Sequence, residues 1–419
     1  MSAKPQMLPP SNRLSQADVE AICAKHDRLW SSKPGGARAV FAWKDLSGLD
    51  FRGRNLCDAD FTGAILADCR LDGARLDHAN LYGADLQGAN LRDASMRRSD
   101  LRGACLRGCD LSGADLFEAD LREGTIAAVD AEKGLRVLES VHRPGQMQGA
   151  ILAGANLERS RLSGVVAVRA DFSDAILKDA KLVRANLKQV TMTGANLAGA
   201  DLSGADLAGA DLRDCVLVGA RTTACNFGNA NVAGVLTDEP VGKAVADMPY
   251  EQMIRDHARW CETDGAEGKP SDFSGADLRT LTSLRGLNLT ALSAKDAVFY
   301  GVDMSGAQLQ GAHLENADLR ACDLRRADLR GARMAGAKLS GADLREAQMG
   351  PLLLGADRML PCDLTGAALK GADLSGADLS HARMSGADVS RANFTGAMLK
   401  LVNLTGAVRQ GARGLEAII

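Results

Sequence analysis

The sequence predicts an all-β solenoid, a stack of short coils turned through small polar corners, and three observations carry that prediction. A five-residue pattern recurs through most of the chain. In ANLAGADLSGADLAGADLRD, Leu202, Leu207 and Leu212 stand five apart, each with Ala two before it and Asp one before it, and Gly or Asp two after. The composition fits a core of small and aliphatic side chains, with 45 glycines and only 4% aromatic residues in 419. The pattern also stops and restarts around segments of a different character, as a stack with capped ends requires.

The period itself excludes the simpler elements. Along one helix, centres five apart would rotate by about 140° each time, at 3.6 residues per turn. Along one strand an odd spacing sends alternate centres to opposite faces. The chain must therefore turn once per unit. Within a unit the Ala and the central residue are two apart, so a short extended piece points both inward. The Gly-, Ser- and Asp-rich remainder makes the corner. Stacked coils then pair edge to edge at about 4.8 Å, the ordinary strand spacing.

The A(D/N)LxG pattern resembles the pentapeptide-repeat family and covers most of residues 41–408. The resemblance implies a right-handed quadrilateral β-helix with four units per coil; the period alone leaves the number of sides open. It also implies a protein-binding or scaffolding role. Some members are implied to mimic DNA with acidic faces and to bind type II topoisomerases such as gyrase.

Read in order, the chain opens with a polar, Pro-rich tail and a stripe of Val19, Ile22, Cys23, His26 and Trp30 at helical spacing, so 1–38 is expected to be a tail and capping helix. Centres then run every five residues from Leu46 to Ile126, giving a first solenoid part over 39–126. An interruption at 127–146 reads either as a surface loop or as a binding protrusion. Centres resume one residue out of phase at Leu152 and continue to Val232, a second part over 147–237.

The segment 238–270 echoes the N-terminus. Met253, Ile254, His257, Trp260 and Cys261 form a helical stripe, followed by Gly and a fresh start at DFSGADL. A helix covering the open first coil explains both occurrences, with Trp30 and Trp260 as the capping contacts, because bare coil edges need covering. The third part, 271–408, has a six-residue step from Leu278 to Leu284, expected as a corner bulge. Leu352 and Asp357 occupy inward positions there, so one coil near them is expected to be distorted. The core should end near Ala407, leaving 409–419 as a cap or tail whose apolar end closes the stack or forms a homodimer.

Chemistry is sparse. Nothing matches a nucleophile elbow, a phosphate-binding loop or a zinc spacing, so the expectation is no catalytic residue, no metal and no cofactor. Of ten cysteines, Cys69, Cys109, Cys215, Cys225, Cys322 and Cys362 take the inward Ala position. The pairs Cys69/Cys109 and Cys322/Cys362 would lie two coils apart on one face, about 9.6 Å, beyond disulfide reach. Cys57 and Cys105, at outward positions, should be the more reactive.

With four-sided coils, positions four pentads apart share a column. Asp60, Asn80, Asp100 and Asp120 then make one acidic ladder, and Asp303, Asp323, Asp343 and Asp363 another. Arg102, Arg122, Arg325 and Arg345, each two residues after an Asp, should offset them. The formal charge of −3 provides no strong field toward nucleic acid or membrane. No apolar run of spanning length and no signal-like start are present, so the expected location is cytoplasmic. The expectation is a non-enzymatic scaffold with a protein partner, and a gyrase-directed DNA mimic is the alternative.

Overall fold

A computed structural model describes residues 12–126, 141–355 and 358–415. The chain divides into two compact units, Met1–Asp238 and Glu239–Ile419. Each is a right-handed four-sided β-helix. Asp60 pairs in parallel with Asn80, Asn80 with Asp100 and Asp100 with Asp120, so one coil takes four pentads.

Each pentad is a type II turn joined to a short extended piece. The alanine-side N–H closes the corner on the preceding central carbonyl, as from Leu49 to Leu46 at 3.1 Å, and the neighbouring coil accepts Leu46 N–H at the Ile65 carbonyl at 2.8 Å. The second corner residue sits at positive φ, 74° at Gly48, which explains the glycine after each polar corner residue. Asp58, His78 and Arg98 adopt the same conformation without being glycine. The Asp or Asn before each centre accepts the N–H two residues on, as Asp45 Oδ1 does from Ser47 at 3.0 Å. Ala and Leu point inward and are buried along both units, except near the last coil of each, where Ala220, Ala230, Ala397 and Leu399 are partly exposed.

The inward cysteines lie in this core as free thiols, and those at 69, 109, 215, 225 and 322 donate to a carbonyl of the coil before, Cys69 to Leu46 at 3.0 Å. Two outward thiols depart from expectation. Cys57 is only 2% exposed and Cys105 only 9%. His26 of the N-terminal helix lies at the Cys57 backbone, and Cys105 lies in the column where the coil is followed by the chain returning at Gln146.

The first interruption leaves the stack undisturbed. Cys105 pairs with Gln146 and Asp120 with Arg161, where the regular offset would have reached Thr125 and Ser140. The register therefore steps forward by four pentads plus one residue, and the one residue accounts for the phase shift; residues 127–140 of the interruption lie outside the described residues. The loop leaves and returns as an antiparallel ribbon, β1 (Gly124–Ile126) with β2 (Val141–Arg143). Ile126 therefore belongs to the ribbon and not to the coils; the inward positions pass from Leu121 to Met147. A Cβ on Gly124 would stand 2.8 Å from the Arg102 carbonyl oxygen and one on Gly145 2.3 Å from that of Leu121, so the chain can leave and re-enter this closely only as glycine.

Both units start alike. In the first, Arg13 pairs in parallel with Asp45, and α1 (Gln16–Trp30) follows, its N-terminus closed by a reciprocal Ser15/Asp18 box. In the second, β3 (Lys243–Ala244) pairs in parallel with β4 (Ala276–Asp277), and α2 (Tyr250–Glu262) follows β3. Asp45 and Asp277 occupy the same place, one residue before the second centre of their first coil. Each helix then turns back through a glycine with no room for a side chain: a Cβ on Gly36 would lie 2.4 Å from the Leu29 nitrogen, and one on Gly268 2.2 Å from the Asp256 oxygen.

The contact that seats each helix is a histidine. His26 Nδ1 accepts the Ala39 N–H at 3.0 Å and His257 Nδ1 that of Ser271 at 2.9 Å, and both rings are fully buried. The tryptophans lie outside them. Trp30 is 46% exposed, its ring centre 6.4 Å from that of His26, and half-buried Trp260 stands 5.8 Å from His257. Both indoles come about one turn later on their helices and keep much of their surface in water, while the hydrogen bond to the coil is made by His.

In the second unit Asp272 pairs with Ser293 and Asp277 with Val298, one position further than four pentads, before the regular offset returns with Ser283 to Asp303. The six-residue step is thus one extra corner residue. The irregular stretch after Met349 is not a distorted coil. Arg333 pairs with Asp363 and Lys338 with Ala368, two pentads beyond the regular partner, so two pentads' length of chain is ejected and the coils close around the gap. The ejected part is a hairpin, β5 (Leu352–Leu353) with β6 (Met359–Leu360). Asp357 lies outside the described residues. Coil pairing also continues past 408, with Asn393 to Arg413, while Arg409 at the next centre turns its guanidinium back to the Leu404 carbonyl at 2.9 Å.

Candidate functional site

The outward surface consists of columns one coil apart, and the ladder residues can be placed on it. Asp60, Asn80, Asp100 and Asp120 share a column that continues with Arg161 and Lys181. Asp303, Asp323 and Asp343 share another, but the next member is Asp373, not Asp363. Ejecting two pentads advances the chain by two sides of the square, so Asp363 stands in the column of His313 and Arg333. The same shift takes Cys362 off the face of Cys322.

Few of these carboxylates are bare. Arg102 grips Asp100 with Nε at 2.9 Å and Nη2 at 2.7 Å, and Arg122, Arg325 and Arg345 grip Asp120, Asp323 and Asp343 likewise. The hydrogen bond from Arg325 holds the Asp323 carboxyl below its usual range. Arg325 also reaches Asp343 of the next coil at 3.6 Å, so charge is matched along the column as well as within each unit. Two such pairs, Asp277–Arg279 and Asp318–Arg320, are nearly buried. A column of this kind presents alternating charge, unlike the phosphate run of a duplex.

The hairpin has a different chemistry. Its inner side chains rest on the glycine corners of the coil: Leu352 Cβ and Leu360 Cδ2 lie 2.7 and 3.2 Å from where a Cβ on Gly331 would stand. Its outer side chains face water, with Leu353 72% exposed, Leu354 46% and Met359 52%. The sequence reading misses this surface because the Leu-Leu-Leu run at 352–354 looks like a core stretch; its departure from the five-residue register is the available signal. At the C-terminal end of the unit Met398, Leu401 and Val408 are also exposed.

Among the described residues no cluster of three His, Cys, Asp or Glu side chains is arranged to hold a metal ion, and no helix is long and apolar enough to cross a membrane.

The family model described as pentapeptide repeats matches residues 45–124 in overlapping segments, then 146–179, 180–219, 282–349 and 362–408. The matches stop at both looped-out insertions and at the second cap. No curated protein matches. Among solved structures, the chain is similar to HetL, a pentapeptide repeat protein involved in heterocyst differentiation regulation from the cyanobacterium Nostoc (23% identity, 91% of this chain and 94% of that one, TM-score 0.17). It is similar to Rfr23 from the cyanobacterium Cyanothece (26%, 33% and 88%, TM-score 0.21). It is also similar to QnrB1, a plasmid-mediated fluoroquinolone resistance protein (18%, 56% and 94%, TM-score 0.22). The repeat itself, matched over most of the chain and folded into four-pentad coils, makes this protein a member of the pentapeptide-repeat family.

Proposed function

We propose that this chain is a non-enzymatic protein-binding scaffold, a rigid stack that offers the 351–361 hairpin to a protein partner. The hairpin's exposed Leu353, Leu354 and Met359 support this reading, since they form an apolar surface beside columns of internally matched charge. Apolar surface left in water forgoes roughly 25 cal/mol per Å², and clustered exposure marks sites of association.

The test is affinity capture from the native cell with wild-type protein and with the Leu353→Asp, Met359→Asp double variant. Both substitutions are at the surface, so the melting temperature should hold while a defined set of captured proteins is lost. Capture of the same set by both would overturn the reading. A homodimer through the C-terminal end is a second contact of the same scaffold, favoured by exposed Met398, Leu401 and Val408. Sedimentation of wild-type and Leu401→Asp protein decides it: a wild-type monomer, or an unchanged dimer in the variant, removes that contact.

A further inference from the structure

We infer that the two capping helices are acid-released latches, each held to its first coil by a neutral histidine that accepts a backbone N–H in a site closed to water. The chemistry follows from the donors. An imidazole accepting at Nδ1 must carry its single proton on Nε2, and an imidazolium carries one on each nitrogen. A second proton would therefore enter at Nδ1 and point at the N–H of Ala39 or Ser271, leaving two donors facing each other and a charge in a fully buried ring. Nε2 offers no place for the second proton, since it already carries the neutral ring's own, and it is buried in both rings. It lies toward the backbone of Cys57 in one cap and of Thr290 in the other, residues that follow the fourth centre of their respective first coils. Two helices of different sequence thus place one histidine across the same two points of a coil.

The surroundings differ. His26 is pushed down by burial, drawn up by Asp27 on its own helix, by the Cys57 backbone and by Asp58 on the coil, and opposed by Arg38 on the connecting segment. For His257 the influences are burial and the Thr290 backbone, with Trp260 against the ring. In both cases the capped state binds its proton less readily than an open, solvated histidine of pKa about 6.5. The latch is therefore fully closed above that value and weakens as pH falls below it, by up to about tenfold per pH unit for one proton. Acid should weaken the α1 latch less than the α2 latch, because Asp27 and Asp58 favour the His26 imidazolium while the cap is closed, and His257 has no such carboxylate among its influences. Release uncovers the first-coil cores, which include Phe41 and Phe51, packed on Phe61 of the next coil, in one unit and Phe273 in the other.

The experiment is hydrogen exchange of the full chain from about pH 8 to about pH 5, corrected for intrinsic exchange, reading the Ala39 and Ser271 amides. Protection should fall with pH at both, and further at Ser271 than at Ala39. His26→Asn and His257→Asn put an amide oxygen where Nδ1 stood, so they should keep the cap and flatten the pH dependence. Flat wild-type protection across the range overturns the inference whatever the variants do. An unchanged slope in the Asn variants assigns the pH dependence to other groups and overturns it equally.

Discussion

At the residue scale, the core consists of one large and one small side chain per pentad, each closed in by the coils on either side. Leu324 is fully buried and its N–H is tied to Asp343 of the next coil at 2.8 Å. Changing it to Asp removes a core leucine and buries a charge, which should cost on the order of 3 kcal/mol or more in chemical denaturation. Thiol chemistry follows the same geometry. Burial pushes the Cys69 and Cys23 thiols up to about 11, so few thiolates form near neutral pH. Half-buried Cys225 and Cys261 should therefore be labelled by a thiol reagent before any other cysteine among the described residues. Labelling of Cys57 first would contradict its burial. The inward thiols and the Asp–Arg pairs were legible in sequence, because each depends on spacing within one unit. The burial of Cys57 was not, because its cover comes from α1, a separate element that the pentad spacing does not place.

At the scale of the element, the caps and the hairpin show where local reading stops. The apolar stripes at Val19–Trp30 and Met253–Cys261 identify the helices, but not which side chain reaches the coil. That depends on where the helix ends relative to the coil edge. The histidines should accordingly outweigh the tryptophans. His26→Ala leaves the Ala39 N–H buried without an acceptor, a loss of about 1–3 kcal/mol beyond the packing removed. Trp30→Ala, at a site 46% exposed, should cost on the order of 1 kcal/mol. Thermal melts of the two variants rank them directly, and a costlier Trp30→Ala would restore the indole as the main contact. The hairpin makes a sharper case. Removing residues 351–360 restores the five-residue spacing between Met349 and Leu364, but leaves Pro361 at a corner where φ must be positive. Pro cannot adopt that angle, so the deletion should fold well only with Pro361→Gly. Equal stability of the deletion with and without that substitution would show that the register is not restored as the pairing implies.

At the scale of the whole molecule, the question is whether Glu239–Ile419 is a folding unit in its own right. A solenoid's stability sums its coils and their interfaces, so an extra cap is useful only where a coil edge is otherwise bare. This stretch carries its own edge strand, helix, histidine contact and core, from the Lys243–Ala276 pair and the His257–Ser271 bond to the buried series beginning at Phe273. The contacts that close its first coil lie within it: Tyr250 packs its ring 5.9 Å from Phe273, and the Ser271 hydroxyl donates to the Met253 carbonyl. The fragment Glu239–Ile419 should therefore fold alone and melt in one cooperative transition. A fragment of residues 271–419 lacks β3 and α2, and the inward side chains of Phe273, Leu278, Leu284 and Leu289 would meet water on one side. It should aggregate or melt well below the longer fragment. A fragment of residues 245–419, which keeps α2 but loses β3, isolates the helix's share and should fall between them. If 271–419 melted like Glu239–Ile419, the helix would be an ornament on a stack stable without it, and the parallel between the two caps would have no energetic content.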